Sequence, residues 1–596
     1  MGLRVGLEAR LKGLCLQETQ AVFYYQSPLL YFSARSANQS FPMYLIRKYD
    51  RFITGLISSE TKRSYLIAGT VLAVLLLALG ALLAWIGAPP MNGRPWDSAM
   101  VLDGAWRIVN GQVPHRDFYS FVGSFPWYLA FLGMKLSHPC LSAIVYGDIL
   151  LMAVLCPTAM AVLYRRTSAW YALLFSLFLG VLVVSPRPLG DPYDYIDCAM
   201  SYNRFGEAFL GLFSVLVFLP PRSGDRQGLI GSVEAVLMGL LLTLLWFVKL
   251  NYFAIGALFF GIGVALRFLD LRSAVVCSLS ALGFLGLALA LTGIPLGAMV
   301  GDFRIMSGAQ DFRGKIDILQ MRGFENAWRL PVLLILTWES ISGEQEMRSG
   351  WPNKWREWVV PLAVSGSALL LIASNTQLSE MPLLAFAALY AAEKIRRQPV
   401  VPHNDSFQAV RNLGALCVAF LFMVPTLGTD LKAMDHIRWS FRQRDFVSTE
   451  TLGTTRLQDL RFTHGTRLLY SRVYMHQLDD GIQLLRRHAD PSMRLMAPLF
   501  ANPFHVALGL RPAKGGLSCW SWNTIDRRSH PPLARLIGDA THILLPTDQG
   551  SQFFHGQKPR EVYGTEWDAL GLETVEETTY YTLLKLRSPT DASSKH

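Results

Sequence analysis

The apolar run IAGTVLAVLLLALGALLAWI at residues 67–86 is followed closely by WDSAMVLDGAWRIVNGQVPHRDFYSFVGSFPWY at 96–128. The first stretch is long enough to cross a bilayer. The second stretch places Asp97, Asp103 and Asp117 among aromatic, Gly and Pro residues. Ionisable groups at the edge of a membrane lose part of their hydration, so they are retained mainly where they bind or react. We therefore interpret this loop as the candidate active site.

The composition indicates an integral membrane protein, because 51% of the residues are hydrophobic, 17% are charged and the mean hydropathy is +0.29. Apolar runs of span length recur as far as Leu427. Beyond Thr429 the sequence is mixed, with the strand-like runs RLMAP at 494–498, THILLPT at 541–547 and YYTLLKL at 580–586. The predicted architecture is a polytopic α-helical membrane protein with a C-terminal extracytoplasmic α/β domain, divided at 1–64, 65–428 and 429–596.

About eleven spans are predicted, and the basic residues collect at alternate turns between them. The positive-inside rule then places the N-terminus in the cytoplasm and the C-terminal domain outside. This parity treats Val122–Lys135 as an interfacial or re-entrant helix that does not cross. The predicted spans are 67–86, 141–164, 170–185, 205–220, 229–248, 252–266, 274–291, 330–342, 359–374, 381–392 and 413–427.

The formal net charge of +11 is explained by these basic turns, so no nucleic-acid partner is expected. The seven cysteines form no CxxC pair, which argues against a zinc site or a disulfide framework. Asp191, Asp194 and Asp197 have a spacing that could hold a divalent metal, but Gly190 and Pro192 favour a solvated loop. Metal dependence, and any cofactor, stays open at this stage.

Under this topology, carboxylates and cations share the outer surface. A carboxylate there can accept a proton from an attacking hydroxyl, while Arg or Lys neutralises a departing phosphate. Asp97 and Asp117 are the candidate catalytic residues. The candidate phosphate-binding residues are Arg116, Arg187, Arg204 and Lys249, and the candidate substrate-binding residues are His115, Tyr202, Asn203 and Glu380.

The WD pair at 96–97, the stretch NGQVPHRDFYSFVGSFPWYL at 110–129 and SYNRFGEAFL at 201–210 carry a family resemblance. They resemble the outer loops of GT-C membrane glycosyltransferases, in the branch related to protein mannosyltransferases and lipid A aminoarabinose transferases. The resemblance covers roughly residues 65–427. It implies that Asp97 acts as or assists the base and that the donor is a sugar on a polyprenyl phosphate. The chain departs from the family pattern at Ser98, where a second acidic residue is usual, and at His115, where tyrosine is common.

The expected function is an inverting hexosyl- or pentosyltransferase in the bacterial inner membrane. It would move a sugar from a polyprenyl-phosphate donor to a glycan, lipid or protein acceptor of the cell envelope, in contact with membrane lipids. A transporter or flippase of a lipid-linked or anionic substrate, and a ligase or polymerase of lipid-linked glycans, are the alternatives. Each residue also has a simpler interpretation: Asp97 as a helix cap, Asp103 as a solvated residue, Arg116 and Asp117 as a turn pair, and Lys249 as a residue that snorkels to the headgroups.

Overall fold

The structure is a computed structural model that describes residues 61–587, apart from 93–95, 199, 223–227, 311, 342–350, 376–379, 399–404, 445, 464–467, 522–523 and 550–557. The predicted cytoplasmic segment at 1–64 lies outside the described residues except for 61–64.

Long helices account for most of the chain up to residue 443. Their apolar sequences satisfy the backbone internally, as a hydrocarbon environment requires. They are α1 (Lys62–Ile86), α2 (Trp96–Val109), α3 (Phe125–Leu136), α4 (Ser142–Tyr164), α5 (Ala169–Val184), α6 (Ser201–Phe218), α7 (Gly228–Val248), α8 (Leu250–Ala265), α9 (Leu271–Thr292), α10 (Leu296–Ala309), α11 (Phe312–Glu325), α12 (Arg329–Ile341), α13 (Trp351–Asn375), α14 (Leu383–Arg397) and α15 (Asp405–Gln443).

Every predicted span coincides with one of these helices. Six stretches in the described part of the chain are long and apolar enough to cross a membrane, and they lie in α1, α4, α7, α9, α13 and α15. The other predicted spans correspond to shorter helices, namely α5, α6, α8, α12 and α14. The chain is therefore a multi-pass helical membrane protein, and the predicted fold class is confirmed.

The helix α3 is the segment on which the predicted parity depends. It has 12 residues, and Pro126 lies in its first turn. At about 1.5 Å per residue it is roughly 18 Å long, much shorter than the hydrocarbon core of about 30 Å. It packs between α2 and α4.

The C-terminal region carries the predicted α/β elements. The helix α15 continues past the predicted boundary at 429 as far as Gln443, and a mixed five-stranded sheet follows in the order β4-β3-β5-β7-β6. The elements are β1 (Phe446–Val447), α16 (Glu450–Gly453), β2 (Phe462–Thr463), α17 (Leu468–His488), β3 (Arg494–Met496), α18 (Phe504–Leu508), β4 (Arg511–Pro512), α19 (Leu533–Ile537), β5 (His542–Pro546), α20 (Pro559–Tyr563), α21 (Thr565–Asp568), β6 (Leu572–Glu577) and β7 (Tyr581–Leu586). The strands predicted at 494–498, 541–547 and 580–586 are confirmed.

The basic turns at the ends of the spans lie together on one side. Arg166 donates to both oxygens of Glu234 at 2.7 Å, and Arg397 donates to Glu393 at 2.8 Å and to Pro220 O at 3.1 Å. These contacts join the turns after α4 and α6 to the start of α7 and the end of α14. The predicted grouping of basic turns in one layer is thus present in the fold.

The close packing of α6 against α8 can be tested by a substitution at the contact. Gly206 faces the ring of Tyr252, and a methyl group at Gly206 would lie 2.6 Å from the ring atoms. We expect Gly206→Ala to destabilise the folded protein by about 1–3 kcal/mol through overpacking, measured as a lower thermal unfolding midpoint in detergent. Gly211→Ala on the same helix is the matched control, because its methyl group would lie 3.6 Å from Leu179. Equal midpoints for the two variants would contradict the packing.

Candidate functional site

The first loop, which follows α1, is joined to the C-terminal domain by backbone hydrogen bonds. Tyr119 N donates to Gly516 O and Ser518 N donates to Tyr119 O, both at 3.1 Å. Farther back in the loop, Met91 forms a bridge with Phe462. The C-terminal domain therefore packs directly on the loop that carries the candidate carboxylates.

Asp103 has a structural role in this contact. Its carboxylate accepts from Arg107 Nε at 2.8 Å and lies 2.6 Å from His505 Nδ1, and all three side chains are buried. Arg107 also donates to the carbonyl oxygens of Ala513 and Gly515. The expectation that Asp103 is solvated is wrong, because the C-terminal domain covers this face of α2.

Asp97 lies in the first turn of α2, where its negative charge is favourable to the helix dipole. Its Oδ2 accepts a hydrogen bond from Met200 N at 3.2 Å, across the gap to the start of α6. This contact brings Asp97 beside Tyr202, and the Asp97 charge also acts on Cys519 of the C-terminal domain. The carboxylate therefore lies where α2, α6 and the C-terminal domain meet.

Lys249 forms the turn between α7 and α8. Its Nζ donates to Asn375 Oδ1 at 2.7 Å and to Asn203 Oδ1 at 3.4 Å, and it lies 5.2 Å from the centre of the Tyr202 ring. The position of the turn is set by Gly123, whose N–H donates to Val248 O at 3.2 Å. The first loop thus packs against the chain immediately before Lys249.

The environment of Lys249 changes its proton affinity. Burial, together with the nearby charge of Lys315, lowers the pKa of Lys249 to about 7, although the charge of Asp97 opposes the change. Asp97 and Lys249 are therefore close enough to interact electrostatically. Within the described ranges, no carboxylate lies within ion-pair distance of Nζ, and the polar neighbours are side-chain amides. Asn203 Nδ2 is buried in the same place, and none of the residues that the structure describes is its hydrogen-bond partner.

Arg187 and Arg204 are brought together in a buried ionic cluster. Arg187 Nη2 donates to Glu380 at 2.8 and 3.0 Å and to Asp430 Oδ1 at 2.8 Å. Arg204 donates to both oxygens of Asp430 at 3.0 Å. Asp430, in the extension of α15 beyond the predicted boundary, is thus shared by both arginines.

Arg116 and Asp117 form a pair with each other. Arg116 donates to Asp117 at 2.7 and 3.2 Å, and Val113 N donates to the same carboxylate at 2.8 Å. Burial raises the pKa of Asp117, but the hydrogen bonds from Arg116 and Val113 and the charges of Arg116 and Lys514 outweigh it, so the pKa is lowered. These contacts fit the simpler interpretation of the pair as one that fixes a turn.

His115 lies in a third group. Its Nδ1 is 3.0 Å from Asp302 Oδ2, and Arg535 of the C-terminal domain donates to Asp302 Oδ1 and to His115 O at 2.6 Å. His115 and Asp302 are both fully buried. This group joins the first loop, α10 and α19, apart from the contacts that Asp97 and Lys249 make.

Sequence reasoning missed Asp430, Asp302, Arg535 and Asn375 as members of these groups. Asp302 lies in α10 and Asn375 is the last residue of α13, and both fall outside the predicted spans, so position between spans was the available signal. Asp430 and Arg535 carried no local pattern, because their partners are far away in the chain. No group of three metal-ligating side chains is found in the part of the chain that the structure describes.

The structure is similar to the crystal structure of ArnT from Cupriavidus metallidurans bound to undecaprenyl phosphate, with a TM-score of 0.42 and 12% identity, covering 87% of this chain and 98% of that chain. The apo state of the same protein matches with a TM-score of 0.41 over the same shares. ArnT is a lipid A aminoarabinose transferase, from the branch that the first loop resembles. No protein-family model and no curated protein matches the sequence. At this identity and TM-score the likeness carries no weight for function, which must be inferred from the residues of this chain.

The ionic cluster leads to a stability prediction. Asp430→Asn removes a carboxylate that two buried guanidinium groups share, so we expect a loss of about 3–5 kcal/mol of folding free energy. The measurement is the thermal unfolding midpoint in detergent. Asp435→Asn on the same helix is the control, because its pair with Arg438 is mostly exposed and should contribute about 1 kcal/mol or less. If both variants unfold at the same temperature, the cluster does not stabilise the fold.

Proposed function

We propose that the protein is a membrane glycosyltransferase that moves a sugar from a polyprenyl-phosphate donor to an acceptor hydroxyl. The observation that carries this proposal is that Asp97 and Lys249 both contact the start of α6, Asp97 through Met200 N and Lys249 through the buried Asn203. A carboxylate and a cation at the start of one helix are the two groups that such a transfer needs.

In the proposed reaction, the acceptor oxygen attacks the anomeric carbon while the bond from that carbon to the phosphate oxygen breaks. The hydroxyl proton passes to Asp97, and the polyprenyl phosphate leaves with the bonding electrons. Lys249 neutralises the charge that develops on the leaving phosphate. Attack opposite to the leaving group makes the transfer inverting.

We assign the role of the base to Asp97 and not to Asp117. Both oxygens of Asp117 already accept hydrogen bonds from Arg116 or Val113 and its pKa is lowered, so it holds a proton weakly. Asp97 accepts a hydrogen bond from Met200 N at the start of α6, the helix whose first turn also contacts Lys249. We assign Asp117 the task of fixing the loop, together with Arg116.

Lys249 is the proposed phosphate ligand among the four predicted cations. The charges of Arg187 and Arg204 are already matched by Glu380 and Asp430, and that of Arg116 by Asp117. Tyr202 and Asn203 touch Lys249 and are proposed to contact the donor, whereas Arg187, Arg204 and Glu380 position the first turn of α6. His115 is proposed to hold the loop against α10.

We place this site at the outer face of the inner membrane, with the N-terminus in the cytoplasm and the C-terminal domain on the outside. A transferase outside the cytoplasm has no nucleotide sugars at hand, so a lipid-linked donor is the natural substrate. The acceptor is proposed to be a glycan, lipid or protein of the cell envelope.

Replacement of Asp97 tests the base. We expect Asp97→Asn to lower the rate of polyprenyl-phosphate release from polyprenyl-phosphate sugars by about 10²–10⁴-fold, with donor binding retained. Release is measured with purified protein, a panel of radiolabelled donors and mixed envelope glycans as acceptors. The control is Asp435→Asn, which lies on the exposed face of α15.

Two results would contradict this proposal. Release of polyprenyl phosphate at the wild-type rate by the Asp97→Asn variant would show that Asp97 is not the base. Donor translocation across a vesicle membrane without any release of polyprenyl phosphate would favour the flippase alternative.

The pKa of Lys249 leads to a pH prediction. Because this pKa is lowered to about 7, Lys249 loses its charge as the pH rises through neutrality, so donor affinity should fall over that range. The donor is a phosphodiester, and its own charge does not change there. Lys249→Arg should remove the pH dependence, because a guanidinium stays protonated. Affinity is measured by equilibrium binding at several pH values, and an identical pH profile for both proteins would contradict the role of Lys249.

A further inference from the structure

A groove lies between α1 and α4 on the side of the molecule where the basic turns collect. It has a volume of about 450 Å³ and is lined mainly by apolar side chains. Tyr65, Gly69, Ala73 and Leu76 line it from α1, and Pro157 and Ala161 line it from α4. The groove is open beside its small residues, because a methyl group added at Gly69 would meet no atom within 4 Å.

The depth of the groove matches one leaflet of a bilayer. Its lining on α1 runs from Tyr65 to Leu76, which at about 1.5 Å per residue is a rise of roughly 16 Å. The hydrocarbon core of a membrane is about 30 Å thick, so the groove reaches approximately to its middle. One acyl chain of a phospholipid has this length, whereas a polyprenyl chain is longer.

The mouth of the groove is aromatic and positively charged. The rings of Tyr65 and Tyr164 meet edge to face at 4.4 Å, which is typical of an interfacial position. Arg222 lies 5.6 Å from the centre of the Tyr65 ring and donates to Tyr164 O at 2.6 Å. Lys62 and Arg63 precede Tyr65 in the first turn of α1, and both side chains are exposed.

The charges at the mouth favour an anionic headgroup. Glu234 is held by Arg165 and Arg166, so its charge is already matched. Among the residues with described side chains, no carboxylate lies within ion-pair distance of Lys62 or Arg63. A phosphate placed beside these two side chains would meet positive charge above an apolar channel of matching length.

We propose that this groove binds one anionic phospholipid from the leaflet on the side of the basic turns, with an acyl chain between α1 and α4 and the phosphate beside Lys62 and Arg63. The site is separate from Asp97 and Lys249, which lie at the opposite ends of the spans. It does not depend on the proposed transferase activity.

Native mass spectrometry of the full chain tests this proposal. The protein is reconstituted with phosphatidylethanolamine and phosphatidylglycerol, released from detergent, and scored for bound lipid. We expect the wild type to retain phosphatidylglycerol in preference to phosphatidylethanolamine. The Gly69→Phe variant should retain roughly tenfold less phosphatidylglycerol, because its ring fills the groove. Since a bound lipid stabilises the folded protein, the variant should also have a lower thermal unfolding midpoint than the wild type in phosphatidylglycerol.

Two further variants separate the groove from general lipid contact. Gly283→Phe on α9 is the matched control, because a side chain there also meets no atom within 4 Å and α9 is mostly unburied. It should retain phosphatidylglycerol as the wild type does. The double variant Lys62→Gln with Arg63→Gln should keep a lipid but lose the preference for the anionic headgroup.

Three results would overturn the proposal. Equal retention of phosphatidylglycerol by Gly69→Phe and wild type would show that the groove is not the site. Equal retention of phosphatidylglycerol and phosphatidylethanolamine by the wild type would show that the groove does not prefer an anionic headgroup. If added polyprenyl phosphate displaces phosphatidylglycerol, and the Gly69→Phe variant retains as much phosphatidylglycerol as the wild type, the lipid is bound at the donor site and not in the groove.

Discussion

The buried cluster of Arg187, Arg204, Glu380 and Asp430 is the interaction on which the candidate site depends. Charges removed from water are tolerated only when they are paired and hydrogen-bonded, and here two cations meet two carboxylates. The four residues come from the loop after α5, the first turn of α6, the segment before α14 and the extension of α15. Removing one member would leave a buried charge without its partner, so the ends of these elements are held together.

The first turn of α6 transmits this constraint to the candidate site. Arg204 is fixed by Asp430, while Tyr202 and Asn203, two residues and one residue earlier, lie against Lys249. On the other side, Asp97 accepts from Met200 at the start of the same helix. A shift of this turn would therefore change the separation of the carboxylate and the lysine. The C-terminal domain adds a second constraint, because Asp103 and Arg107 tie α2 to it through buried contacts.

Local pattern was enough to predict the apolar spans and three strands of the C-terminal region, namely β3, β5 and β7. A membrane span needs a long apolar run, and a strand such as His542–Pro546 needs only a few β-branched and apolar residues between turn signals, so both features can be read from neighbouring residues. Pairing could not be read in this way. Asp430 lies 243 residues from Arg187 and 226 from Arg204, and no local spacing relates them. The burial of Asp103 was missed for the same reason, since its cover comes from His505, 402 residues away.

Position in an outer loop identifies a charged residue as a candidate, but the pairing of its charge decides what it can bind. A guanidinium that already faces carboxylates gains little from a phosphate, because a new anion must compete with an existing one or add a second negative charge beside it. Lys249 differs, since its described hydrogen-bond partners are amide oxygens, which supply dipoles but no negative charge. A phosphate that approaches Lys249 replaces weak neighbours with a full opposite charge, and it restores the proton affinity that burial has lowered. The same contacts that make Lys249 costly to bury in the empty protein therefore make it the cation with the most to gain from an anionic ligand.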